Sequence, residues 1–64
     1  MDISLNRNLT TKQAAEFLNI SPRTLEQWRW ERRGPSYSKY GRRVLYRMAD
    51  LLEFQERSII RVEL

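Results

Sequence analysis

Apolar residues return at helical spacing three times along this chain, and an aromatic and β-branched stretch separates the second run from the third. Ala14, Phe17 and Leu18 fall at i, i+3 and i+4, one face of a helix. Thr10 followed by Gln13 fits a capping box, with Leu9 as the apolar residue before it, so the spacing predicts a first helix from about Thr11 to Leu18. Asn19 breaks that helix, and Ile20 is expected as a buried plug between helices. Ser21-Pro22 then supplies an N-cap with proline at the first helical position, where its missing N–H costs nothing. The second helix is expected from about Pro22 to Arg33. Gly34 suits a left-handed C-cap there, and Pro35 prevents continuation.

Tyr37-Ser38-Lys39-Tyr40, Gly41-Arg42 and Arg43-Val44-Leu45-Tyr46 read as one β-hairpin, because glycine at the first central position is what a type II′ turn requires. Met48, Leu51, Leu52 and Phe54 restore the helical period, so a third helix with an acidic outer face is expected from about Met48 to Arg57. The tail from Ser58 to Leu64 carries Ile59, Ile60 and Val62. It could prolong the helix, add an edge strand or meet a partner chain. The order helix, helix, two-stranded wing, helix is a mainly α fold with a small β-hairpin, a winged helix-turn-helix. A single domain over residues 1–64 is expected, with an ordered core of about 9–57 and short tails.

On a helical wheel, Leu25 and Trp28 share the inward face of the second helix, while Arg23, Gln27 and Trp30 point away and Thr24 and Glu31 lie on the flank. The outward face has the chemistry of base reading. Arg donates two bonds to guanine, Gln pairs with both edge groups of adenine, and Thr touches a phosphate or a thymine methyl. Trp28 is expected as a packing residue beneath the hairpin. Trp30 is expected either to pack on Tyr37 or to lie against a sugar-phosphate edge. Lys39, Arg42 and Arg43 surround Gly41 at the hairpin tip, a narrow element suited to a minor groove or to phosphates. Thr10, Thr11 and Lys12 sit at a helix N-terminus, where unpaired N–H groups favour phosphate and also need capping.

Charge sharpens this picture, because the net charge of +4 is unevenly spread. Between Ile20 and Arg47 stand Arg23, Arg29, Arg32, Arg33, Lys39, Arg42, Arg43 and Arg47 against only Glu26 and Glu31. A charge run alone is often no more than a solvated face; combined with a turn between two capped helices it points to double-stranded DNA as partner. A protein-interaction module is the competing class, with the basic face on an acidic partner and Trp30, Ile59 and Ile60 as apolar anchors.

Composition removes other classes. Without cysteine or histidine, disulfides, zinc sites of the usual ligand type and His- or Cys-based catalysis are excluded. An enzyme would have to rest on carboxylates such as Asp50 and Glu53, at i and i+3 on a solvated face, so neither catalysis nor a cofactor is expected. No apolar run approaches the roughly 20 residues of a membrane span, and Met1-Asp2-Ile3-Ser4-Leu5 lacks the features of a signal peptide, so a soluble cytoplasmic protein is expected.

The run from Leu9 to Phe54 resembles the small winged-helix DNA-binding proteins of the excisionase and MerR-like group, including phage and AlpA-like regulators. The residues that carry the resemblance are Leu9-Thr10-Thr11-Lys12-Gln13-Ala14-Ala15-Glu16-Phe17-Leu18, Ser21-Pro22-Arg23-Thr24-Leu25, Gly34-Pro35, Lys39, Gly41-Arg42-Arg43-Val44-Leu45-Tyr46-Arg47 and Asp50-Leu51. It implies a helix in the major groove, a wing at the flanking minor groove, Val44 and Tyr46 packing inward, and no catalysis. It also implies an excisionase, with an integrase and neighbouring copies as partners, or a small transcriptional regulator. Full MerR-type regulators carry a long dimerisation helix and an effector domain, whereas this chain stops at Leu64, so no small-molecule effector is expected.

Overall fold

A computed structural model describes residues 4–62, so the expectations for residues 1–3 and for the tail end Glu63-Leu64 lie outside the described residues. The elements run β1 (Asn8–Thr10), α1 (Thr11–Leu18), α2 (Pro22–Trp30), β2 (Ser38–Tyr40), β3 (Arg43–Arg47) and α3 (Met48–Arg57). Among the described residues the expected two-stranded wing is part of a three-stranded antiparallel sheet, with β3 between β1 and β2. Leu9 pairs with Tyr46 on one side of β3, and Lys39 pairs with Val44 on the other.

The helix starts follow their caps. The Thr10 amide donates to Gln13 Oε1 at 2.9 Å while the Gln13 amide donates to Thr10 Oγ1 at 3.2 Å, a closed capping box. Ser21 Oγ accepts from the Thr24 amide at 3.1 Å, and Pro22 opens α2. α3 is started differently. Its N-cap, Arg47, makes no side-chain cap bond. Instead the Met48 and Ala49 amides donate to the carbonyls of Arg7 and Leu5, at 2.8 and 3.0 Å. The segment before Leu9, expected to lie outside the core, therefore closes the N-terminus of α3 and then pairs with β3.

α2 ends three residues earlier than the expected Arg33. Arg32 takes the left-handed position itself, with φ 58°, so its amide donates to the Arg29 carbonyl and the Arg33 amide to the Trp28 carbonyl at 2.9 Å. These are the paired bonds of a Schellman stop. Gly34 is thus not the C-cap. It has φ 93°, and a Cβ there would lie 2.9 Å from Trp28 Cε3, so Gly34 is where the chain turns back against the indole.

The core joins every layer: Leu9 of β1, Ala14 and Ala15 of α1, Leu25 of α2, Tyr46 of β3, and Met48 and Leu51 of α3 are buried. Val44 and Tyr46 share one face of β3; Tyr46 is in the core and Val44 packs half-buried against it. Ile20, expected to be buried, is half-buried beside the core. Trp28 is half-buried too, but not beneath the hairpin. Its ring meets Phe54 of α3 at a centroid distance of 5.5 Å. Residues 58–62 form neither helix nor strand and are exposed, with Arg61 paired to Glu56 at 3.5 Å.

Candidate nucleic-acid interface

Charge pairing divides the surface. The ion pairs join Arg47 to Asp50, Arg57 to Glu53, Arg61 to Glu56 and Arg33 to Glu31. The acidic face of α3 is thereby matched by nearby arginines. Lys12, Arg23, Arg32, Lys39, Arg42 and Arg43 make no ion pair among the described residues. They are exposed and sit on the start of α1, on α2 and its exit, and on the wing. Unpaired cations on adjacent elements sum to a positive field, whereas exposed pairs cancel at a distance.

The exit of α2 and the wing form the walls of an open cleft of about 680 Å³, lined by Glu26, Arg29, Trp30, Arg32, Tyr37, Lys39, Gly41, Arg42 and Val44. Of the expected site residues, Trp30, Lys39 and Arg42 meet around this cleft. Arg23, Thr24 and Gln27 stand on α2 outside it, and Arg43 starts β3 beyond the turn. Gly41 has φ 60° and open space where a Cβ would sit, while Arg42 keeps a negative φ, as a type II′ turn requires.

Two of the expected hydroxyls are already engaged. Thr24 Oγ1 lies 3.0 Å from Ser21 Oγ within the cap of α2. Thr11 Oγ1 accepts from Arg29 Nη1 at 3.2 Å. The same Nη1 donates to Tyr46 Oη at 2.9 Å, and the guanidinium lies over the Tyr37 ring, 5.8 Å from its centroid. Arg29, which the sequence shows only as one more positive charge, thus connects α1, α2 and the wing. Arg32 was missed as well; the glycine two residues later drew the C-cap assignment away from it.

A family model for a helix-turn-helix domain matches residues 9–58. This chain belongs to that helix-turn-helix family, the excisionase- and AlpA-like one. The match spans both capped helices, the wing and α3, so the cleft and the outward face of α2 belong to the helix-turn-helix unit itself. Comparison with curated proteins gives no match. Among the described residues no helix is long and apolar enough to cross a membrane.

On this helix-turn-helix, Trp30 does not pack on Tyr37. It is 86 % exposed, while Tyr37 lies against the Arg29 guanidinium and, at 5.9 Å, the Tyr46 ring. Gln27 is exposed and donates from Nε2 to Glu31 Oε2 at 2.9 Å. That bond, followed by the pairing with Arg33, holds the Glu31 carboxyl below its ordinary pKa.

Proposed function

We propose that this chain binds double-stranded DNA sequence-specifically and serves as an excisionase, a recombination directionality factor, with α2 in the major groove and the wing on the flanking minor groove or backbone. The observation that carries the reading is the distribution of charge among the described residues: Arg23, Arg32, Lys39, Arg42 and Arg43, exposed and without carboxylate partners, lie on α2, its exit and the wing, with Lys12 at the start of α1, whereas Arg47, Arg57 and Arg61 beside α3 are paired and only Arg7 near its start is not. A major groove about 12 Å wide admits a helix and leaves its outward side chains at base edges. Arg23 and Gln27 are exposed there, and Arg32, Lys39, Arg42 and Arg43 suit phosphates on either side. Lys12 and Thr11 add a backbone anchor at the start of α1.

The excisionase role draws on the family and on the tail after α3, where Ile60 is 87 % and Val62 79 % exposed. Apolar side chains so placed suit a neighbouring copy on DNA or an integrase. No catalytic step and no cofactor enters this reading.

In vitro selection from random duplexes at near-physiological salt tests it. Tandem direct repeats are the expected result. A palindrome with half-sites about one turn apart points instead to a dimeric transcriptional regulator. Failure to enrich any site overturns DNA reading in favour of docking to an acidic protein.

A further inference from the structure

We propose that Glu31 is a positioning residue for sequence discrimination: it holds the Gln27 amide in one orientation and so makes the base at that contact adenine rather than guanine. The inference rests on the reading that α2 enters the major groove.

The carboxylate is anchored before it meets the amide. Arg33 Nε donates to Glu31 Oε1 at 2.7 Å, and the Arg33 guanidinium lies over the Trp28 ring, 5.9 Å from its centroid. Trp28 is packed in turn against Phe54. With Oε1 occupied, Oε2 takes a hydrogen from Gln27 Nε2 at 2.9 Å. A line of contacts therefore runs from the half-buried Trp28–Phe54 pair to the tip of an exposed side chain on the outward face of α2.

A glutamine amide has a donor end and an acceptor end that differ little in shape, and a swivel of half a turn exchanges them. A carboxylate only accepts, so Glu31 selects the nitrogen end and turns Oε1 away. One amide hydrogen is then spent on Glu31. With the hydrogen trans to Oε1 donated to Glu31, the cis hydrogen beside Oε1 leaves a donor and an acceptor side by side. Adenine presents the complement, N7 as acceptor and the N6 amino group as donor. Guanine presents N7 and O6, two acceptors, and would need both amide hydrogens. Holding the edge in advance also removes the ordering cost of an exposed side chain.

The test is fluorescence anisotropy on the selected site and on duplexes changed at the base whose preference Gln27→Ala abolishes, with wild type, Glu31→Ala and Glu31→Gln. Wild type is expected to prefer adenine over guanine by about tenfold, the discrimination of one good bidentate pair. Glu31→Ala should reduce this to about twofold or less while preferences at other positions stand. Glu31→Gln, whose side-chain oxygen still accepts the amide hydrogen, should keep more of it. An unchanged ratio in Glu31→Ala, or an equal loss at every position, overturns the inference. NMR of the Gln27 side-chain amide in the free protein separates the failures. Resonances that do not change on Glu31→Ala overturn the positioning alone, whereas a wild type without any preference overturns the DNA reading and the inference with it.

Discussion

Arg29 Nη1 donates to the hydroxyl of Tyr46 at 2.9 Å and so ties α2 to the central strand of the sheet. Tyr46 is only 1 % exposed, and no buried side-chain polar atom among the described residues lacks a partner. Arg29→Ala leaves the buried Tyr46 hydroxyl unmatched, at about 2 kcal/mol, whereas Tyr46→Phe removes one bond of a part-buried Arg29 Nη1 that keeps Thr11 Oγ1, at about 1 kcal/mol. Thermal denaturation should show Tyr46→Phe melting lower by about 4–8 °C in a domain of this size. The double variant should lose less than the sum; strict additivity would mean that the two side chains do not act together.

The two glycines differ in what confines them. At Gly34 a new Cβ meets Trp28 Cε3 at 2.9 Å and Trp28 Cβ at 3.1 Å, on top of a φ of 93°, whereas at Gly41 only the φ of 60° opposes it. Gly34→Ala should therefore cost about 2–3 kcal/mol and Gly41→Ala about 1 kcal/mol. Urea unfolding of both variants checks the order.

Arg32 carries its charge at a backbone cost. Its φ of 58° is one that glycine adopts without penalty. Arg32→Gly should raise stability by about 0.5 kcal/mol. It should also weaken binding to all DNA sequences alike, because the lost cation lines the cleft. Melting curves and anisotropy on selected and random duplexes should thus move in opposite directions.

Glu31 should titrate below the ordinary carboxylate range, with the Gln27 hydrogen bond as the largest cause. A folded-state pKa below the unfolded one gives stability that is present above the unfolded pKa and is lost as pH falls through the folded one. Carbon-detected NMR titration should therefore show the Glu31 midpoint rise in Gln27→Ala. An unmoved midpoint would deny the bond.

The helix starts were legible because Thr10 with Gln13, and Ser21 with Pro22, announce themselves within four residues. The end of α2 was not, since nothing local says that Arg32 will accept a left-handed φ while Gly34 stands two positions later to receive an indole. β1 was missed because Asn8-Leu9-Thr10 is too short to show a period of two, and it becomes a strand only by pairing with β3. A helical wheel placed Gln27 and Trp30 outward, as they are. It could not show that Arg29 meets Thr11 and Tyr46, 18 and 17 residues away, because those contacts depend on how α1 and β3 are brought to α2 by the tertiary fold.

The central claim is that DNA lies on α2 and the wing, and the salt dependence of binding in single-charge variants tests it most directly. About six phosphate contacts give a log-log slope near −5 for wild type. Arg42→Ala and Arg43→Ala should each reduce the slope by about 1 while weakening all sequences, and Arg23→Ala should cost about 1–3 kcal/mol and relax the sequence preference. Arg57→Ala, which removes a cation already paired with Glu53 on α3, should leave the slope unchanged. Equal effects from Arg57 and Arg42, or a slope near zero in wild type, would contradict the assignment.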